Sequence, residues 1–361
     1  MKVLVTGGAG FIGTHLCDAL RARGHKAEVF DNYDPQVHGR VSHDDAKDVL
    51  DCAALQRALA RAEAVVHLAA AVGVAQGQYQ IKHYVDTNVS GTANILDILS
   101  RRRGKVRKVI VAGSMSAYGE GAYECAKCGR VRPPLRPAGW KPAATWDPAC
   151  PACGGALRSV PTREEDRFVC SSVYAVTKMT QEELVMNFGA AYGLPTVALR
   201  FFNVHGPGQS LSNPYTGVAA IFLSRIKNGA APAVYEDGNQ TRDFVSVHDI
   251  SRACVLALEK KEADFQVFNV GTGRATSVRE LAERLAKLCG SDVRPKVLGT
   301  FRSGDVRHCF SDIGRIRGRL GFEPEVSLDD GLRELIDWSR GVRAVDRFDR
   351  AHGELKKRGL A

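Results

Sequence analysis

No stretch of the sequence is apolar for long enough to cross a bilayer as a helix, which excludes a helical membrane span. There is no internal repeat and no low-complexity tract, so nothing argues for a repeat architecture or a disordered segment. Met1 leads directly into a strand pattern with no signal peptide before it, and a cytoplasmic protein without membrane partners is expected. Acidic residues are the minority. Asp and Glu number 40 against 50 Lys and Arg, giving a formal charge of +10 and a pI near 9.2, which suits acidic partners such as nucleic acid or phosphorylated small molecules. The basic clusters Arg101-Arg102-Arg103-Gly104-Lys105 and Lys356-Lys357-Arg358 have no aromatics between their charges, which argues against a nucleic-acid surface. The first is expected at a helix C-terminus, where cations are favoured, and the second in a solvated tail.

What is present is a nucleotide-binding pattern. Val3, Leu4 and Val5 form a short apolar run suited to a buried parallel strand, and it ends in Gly7-Gly8-Ala9-Gly10-Phe11-Ile12-Gly13. Phe11, Ile12, His15, Leu16, Ala19 and Leu20 then recur at helical spacing until Gly24, and a second strand over Ala27 to Phe30 delivers Asp31. Glycines at 7, 10 and 13 permit a tight turn, close approach of backbone to a pyrophosphate and close helix packing, while the helix N-terminus attracts negative charge. Asp31 falls where a carboxylate can hold both ribose hydroxyls and would repel a 2′-phosphate, so NAD is favoured over NADP; Asn32 and Tyr33 do not settle that choice.

Farther along, Tyr174 and Lys178 stand four residues apart in Ser-Val-Tyr-Ala-Val-Thr-Lys, on one face of an expected helix. A phenol titrates near pH ~10, so a fixed ammonium beside it is the usual way to recruit it for proton transfer.

The ten cysteines are unevenly spread. Cys125-Ala-Lys-Cys128 and Cys150-Pro-Ala-Cys153, each followed by glycine, enclose 21 residues. In a cytosolic chain this pattern reads as a closed four-thiolate zinc site, structural because no ligand position is left open. The segment between the pairs is poor in periodicity, so metal is expected to supply the folding energy that a small core cannot. Cys17, Cys52, Cys170, Cys254, Cys289 and Cys309 are expected to be buried bystanders.

Strand and helix alternate through Ala64–Leu68, Asn88–Leu99, Lys108–Ala112, the Tyr174 helix to Tyr192, and Thr196–Arg200, which specifies an α/β fold with a doubly wound parallel sheet. The chain divides into a dinucleotide-binding domain (1–119, 161–203 and 245–270), a zinc-ribbon-like insert (120–160), a smaller substrate lobe (204–244 and 271–342) and a charged tail (343–361) to which no role is assigned.

Over most of its length the chain resembles the extended short-chain dehydrogenase/reductase family, in the branch that acts on nucleotide-diphosphate sugars. Besides the glycine turn and the Tyr-x-x-x-Lys pair, the resemblance is carried by His67-Leu-Ala-Ala70, Asn88-Val-Ser-Gly-Thr92, Ser114-Met-Ser-Ala-Tyr-Gly119, Arg200-Phe-Phe-Asn-Val-His-Gly-Pro207 and Arg242-Asp-Phe-Val-Ser-Val-His-Asp249. It implies a Rossmann fold in which Tyr174 is the acid/base, Ser114 hydrogen-bonds the oxygen being oxidised, and Lys178 tunes the tyrosine and holds the nicotinamide ribose. It further implies tightly bound NAD against Gly7, Gly10, Phe11, Ile12, Gly13, Asp31, Asn32, Leu68, Ala69, Ala70 and Asn88, with Asp48 and Val49 near the adenine. Asn203, Arg242 and Arg302 are implied on the substrate's phosphates, where an arginine fork suits paired oxygens. Ser116 and residues 204–215 are where sugar selectivity is expected. His67, His205 and His248 are expected to be structural. A homodimer through the helices starting near Asn88 and Tyr174 is implied by analogy alone.

Sugar 4,6-dehydratases of this branch carry an Asp-Glu pair directly after the catalytic hydroxyl, because eliminating water needs an acid and a base. Met115 and Ser116 occupy those places here. The expectation is therefore a 4-epimerase working through a transient 4-keto sugar. The twin-cysteine insert narrows the resemblance to a bacterial subgroup that converts dTDP-L-rhamnose to dTDP-6-deoxy-L-talose for surface polysaccharide. A decarboxylase, a 4,6-dehydratase and a net NAD(P)-dependent 4-keto sugar reductase are the rival enzymes. A zinc-containing nucleic-acid or protein-binding module is the rival from another class, and it gives no reason for Ser114, Tyr174 and Lys178 to be present together.

Overall fold

Six short apolar segments pair into one all-parallel sheet: β1 (Lys2–Thr6), β2 (Lys26–Phe30), β3 (Ala64–His67), β4 (Lys108–Ser114), β5 (Thr196–Phe201) and β6 (Gln266–Val270), in the order β2-β1-β3-β4-β5-β6. The computed structural model describes residues 1–360 apart from 40–42, 138, 139, 141, 143, 144 and 303. Because helices cover both faces, the central strands are apolar throughout and do not alternate; every residue of β4 and β5 is buried. Val3 and Val5 point to one face, packing with Leu16 and Leu20 of α1 (Phe11–Ala22), whereas Leu4 points to the other, toward Leu55 of α2 (Cys52–Leu59) and Leu99 of α3 (Gly91–Arg101). On that second face Val185 of α4 (Val173–Tyr192) also contributes. The strand order reverses between β1 and β3, so the loops after them splay apart at the sheet's carboxyl edge and leave a crevice.

Two departures from the expected helices matter. The helix foreseen over Asn88–Leu99 begins with a turn at Ile81–Tyr84 and passes through a π-helical segment, Val85–Ser90, before α3. The extra residue per turn shifts the helix phase at Asn88, whose side chain is fully buried. Arg101 closes α3, as its place in a basic cluster implies. The second concerns the tail, to which no role was assigned: its helix, α9 (Phe348–Lys357), packs on the second lobe, while Lys356, Lys357 and Arg358 stay exposed as expected of a solvated end. That lobe consists of α5 (Val218–Lys227), α7 (Val278–Leu288) and α8 (Leu328–Ser339), sharing Leu223, Leu281, Leu285, Leu332 and Leu335. α6 (Val247–Glu259) packs on the sheet and meets the lobe through His248–Glu334 at 2.7 Å.

The insert is a three-stranded antiparallel sheet in which Ala122–Cys125 pairs with both Gly129–Val131 and Leu157–Val160. Of the six remaining cysteines, Cys17, Cys254 and Cys309 are buried, but Cys170 and Cys289 are half-buried and Cys52 is exposed at the first turn of α2. All ten are free thiols. Among the described residues no helix is long and apolar enough to cross a membrane.

Candidate active site

The crevice opens into a cavity of about 590 Å3 that runs from the glycine turn, past the N-terminal end of α4, into the second lobe. At the first end Gly7 has φ +69, and a Cβ there would lie 2.8 Å from the Ala69 amide nitrogen. A Cβ on Gly13 would lie 2.1 Å from the Gly7 carbonyl oxygen, so only glycine lets α1 start this close to the strand. Gly10 caps α1 without a side-chain hydrogen bond, which leaves the helix amides facing the cavity. Phe11, Ile12, Leu68, Ala69, Ala70 and Val49 line the same end. Asp31 accepts from the amides of Ala9 at 3.0 Å and Tyr33 at 2.8 Å, and its carboxylate still faces the cavity. A cradle that excludes side chains, a free helix N-terminus and a carboxylate at the end of β2 fit a dinucleotide.

Two of the residues expected near the cofactor do not line this cavity. Asn88 does not reach the cavity: its side chain accepts from the Ala71 amide at 2.7 Å and donates to the Ala71 carbonyl at 3.1 Å and the Thr177 hydroxyl at 2.9 Å. With those bonds made and no exposed surface, its part is to tie the loop after β3 to α4. Asp48 stops short of the wall as well, holding the Asn32 side chain at 2.9 Å and the Leu50 amide at 2.8 Å.

At the centre, β4 runs two residues beyond its expected end and delivers Ser114 opposite Tyr174 and Lys178 in the first turns of α4, a helix capped by the Ser172 hydroxyl. Burial raises the phenol of Tyr174 above its ordinary range, and a hydrogen bond with Ser114 works against that rise. Lys178 does not discharge onto the phenol here. Its ammonium donates to the Gln181 side-chain oxygen at 2.7 Å; burial lowers it to about 7 although the Glu182 charge opposes this. Gln181 continues inward to the Thr92 hydroxyl at 2.9 Å, Thr92 meets His67 at 2.9 Å, and His67 meets Thr6 at 2.7 Å. Burial, aided by Lys178, pushes His67 down to about 3, and burial alone puts His205 at about 4, so both are neutral structural groups. His248 pairs with Glu334 at 2.7 Å, away from the cavity wall.

Beyond Ser114 the wall becomes apolar where Met115, Phe202 and Val306 meet, with Ser116 beside them. Asn203 lines this stretch, and its buried side-chain oxygen has no partner within the protein, as expected of a group kept for a ligand. Arg242 also lines it but donates to the backbone carbonyls of Thr241, Val306 and Arg307; neighbouring Asp243 is occupied with Thr272, Gly273 and Ser311. Arg302 pairs with Asp305 at 2.7 Å and lies over the Tyr235 ring at 5.2 Å.

Residues that the sequence did not flag also enter the site. Tyr84 stands edge-on to Tyr174 with ring centres 6.3 Å apart. Gln36 and Gln76 exchange amide hydrogen bonds of 2.9 and 2.8 Å between two cavity-lining helical turns, Pro35–His38 and Val74–Gly77. Phe348 of α9 lines the far end beside Tyr235; α9 is tied there by Arg225–Asp346 at 3.1 Å, Tyr235–His352 at 2.8 Å and Arg358 over Tyr79 at 4.3 Å. Only Gln181 carried a local signal, standing three residues after Lys178 on the same helix face.

In the insert, the four sulfurs of Cys125, Cys128, Cys150 and Cys153 lie within 4.8 Å of one another, with Cys125 and Cys153 3.6 Å apart. A tetrahedral site with Zn–S of about 2.3 Å needs sulfurs about 3.8 Å apart. The amides of Lys127 and Cys128 hydrogen-bond the Cys125 sulfur and lower it to about 7, and Gly129 and Gly154 take the left-handed turns that follow each pair. The donor set fits zinc.

Comparison with known proteins agrees with this geometry. A model described as the NAD dependent epimerase/dehydratase family matches residues 3–137, and one described as GDP-mannose 4,6 dehydratase matches residues 153–335. The chain is 37% identical to a dTDP-L-rhamnose 4-epimerase from Burkholderia thailandensis over 93% of its own length and 94% of that protein. Among solved structures it resembles UDP-glucose 4-epimerase with UDP-glucose from Thermotoga maritima, with a TM-score of 0.77, 32% identity and coverage of 94% and 99% of the two chains. It also resembles the Thermus thermophilus UDP-glucose 4-epimerase complex with NAD, with a TM-score of 0.74, 28% identity and coverage of 95% and 100%.

Proposed function

The chain belongs to the NAD dependent epimerase/dehydratase family, and from that premise we propose that it is an NAD-dependent nucleotide-sugar 4-epimerase that interconverts dTDP-L-rhamnose and dTDP-6-deoxy-L-talose. The observation that carries the reading is the meeting of Ser114, Tyr174 and Lys178 in the cavity with Met115 and Ser116, not an acidic pair, beside them. Tyr174 takes the proton of the C4 hydroxyl while Ser114 holds the same oxygen, and Lys178 keeps positive charge near the phenolate. NAD, when bound, would supply the hydride acceptor and donor for the turnover. After the keto sugar turns over, Tyr174 returns the proton. Gly7, Gly10, Gly13 and Asp31 are the residues suited to hold the cofactor, and Asn203, Arg242 and Arg302 those suited to the substrate's phosphates.

The apolar patch of Met115, Phe202 and Val306 supports a 6-deoxy sugar, since a methyl group suits it and a uronate carboxylate would enter it at a high desolvation cost. The test is to incubate the purified full-length protein, without added cofactor, with dTDP-L-rhamnose, UDP-galactose and UDP-glucuronate and resolve the products by NMR. Inversion at C4 of the dTDP sugar is expected; loss of carbon dioxide from UDP-glucuronate, or turnover only with added NADH, would overturn the reading.

The four thiolates hold one structural zinc ion in this reading, and metal analysis should return one zinc per chain. Exposed apolar residues on the helical segments, Ile81 at 53%, Val176 at 46% and Tyr192 at 57%, support the homodimer, which light scattering would report. Ten thiols without a disulfide suit a reducing cytoplasm.

A further inference from the structure

Arg136 belongs to the insert, yet its guanidinium ends buried in the second lobe. It pairs with Glu236 at 2.8 Å, donates to the Asp305 carbonyl at 3.2 Å and lies over the Phe301 ring at 4.4 Å. All three neighbours surround Arg302. Phe301 precedes it, Asp305 is its ion-pair partner, and Glu236 follows Tyr235, whose ring Arg302 covers. Glu236 has φ +53, a left-handed conformation that a non-glycine residue keeps only where its surroundings hold it. One oxygen of its carboxylate is held by Arg136 and the other by Arg307 at 2.9 Å; Arg307 in turn is held by Asp147 of the insert at 2.6 Å.

We propose that Arg136 is a positioning residue: through it the insert sets the place of Arg302, and so controls how tightly the enzyme grips the diphosphate of its substrate. The proposal rests on the reading of Arg302 as a diphosphate ligand. It gives the cysteine-rich insert a functional connection that the thiolate cluster alone does not have. A guanidinium suits the task because one of its nitrogens, Nη2, serves both the carboxylate and the carbonyl while its flat face covers an aromatic ring, a stacking that an ammonium does not reproduce.

The experiment compares Arg136→Met, Arg136→Lys and Arg302→Met in the full-length protein. The readouts are KM and kcat for the nucleotide sugar and the inhibition constants of dTDP and of thymidine, which lacks the phosphates. Arg136→Met is expected to raise KM and the dTDP inhibition constant together by about tenfold, with kcat within about twofold of the parent and thymidine inhibition unmoved. Arg136→Lys should fall between, since it restores the charge without the flat face that covers Phe301. If Arg136→Met lowers only the melting temperature and leaves dTDP inhibition unchanged, the arginine is a brace and the proposal is overturned. If Arg302→Met also leaves dTDP inhibition unchanged, the reading of Arg302 has failed instead, and the two failures are told apart. Should Arg136→Met not fold, Arg136→Lys and Glu236→Gln carry the same comparison: a KM rise with kcat kept supports the proposal, and an unchanged KM overturns it.

Discussion

The two ends of the cavity bury polar groups by opposite means. Behind Tyr174 a line of neutral donors and acceptors, Thr6, His67, Thr92 and Gln181, leads to a single ammonium on Lys178. Around Arg302 the polarity is ionic: Arg136 and Arg307 meet Asp147, Glu236 and Asp237. Burial opposes the charge of Asp237, yet the bonds from Arg307 outweigh it and hold the carboxyl at about 2. Hydrogen bonds and charge from Asp237 and Asp147 likewise raise Arg307 against its own burial. The difference fits the two tasks proposed for these ends: a phenol that must lose and regain its proton is set among neutral groups and one ammonium, whereas a diphosphate calls for charge that does not change.

The contrast is broken most severely at the proton-transfer end. Tyr174→Phe should lower kcat by about a thousandfold while the melting temperature and dTDP inhibition stay those of the parent, because no ionic contact is lost. Steady-state kinetics with calorimetry checks this.

At the other end Arg307→Met should unfold more easily by about 3–5 kcal/mol, since three carboxylates would be left without their shared cation; urea denaturation measures it. The parent's acid denaturation should separate the two kinds of burial. His67 and His205 take up protons at about 3 and 4 when folded but near 6.5 when unfolded, so stability falls as pH drops from 6.5 toward those values. Asp237, depressed when folded, contributes stability that is lost only as pH falls from 3.8 toward 2. Urea melts of His67→Gln should therefore lose part of the upper window and keep the lower one. The smallest effect is expected for Gln181→Leu. Removing the oxygen that accepts from Lys178 disfavours its charged form, so the alkaline limb of the kcat/KM profile should move to lower pH, costing a few-fold in rate at pH 8.

The dinucleotide end was legible because its determinants are local. The glycines, Asp31 and the Tyr174–Lys178 spacing each sit within one turn or one element, and β1 and β5 lie within a residue or two of the expected strands. Asn88 stands off the cavity wall for a related reason. Its motif is local, but the π-helical turn that carries it and the Ala71 partner that occupies it are not. The ionic end was nearly invisible: Arg136 and Glu236 are separated by 100 positions, so no spacing rule joins them. Arg242 and Arg302 were named through resemblance, while the groups that set their geometry, Asp305 and the carbonyls of Thr241, Val306 and Arg307, became evident only in the folded chain.

Phe348 makes the last helix part of the ligand chamber. Shortening the protein to end near Val342, a natural choice for anyone seeking better-diffracting crystals, would remove an aromatic from the chamber wall and strip Arg225 and Tyr235 of their ties to Asp346 and His352. A trimmed enzyme that binds nucleotide poorly would then report on the scissors and say nothing about the parent.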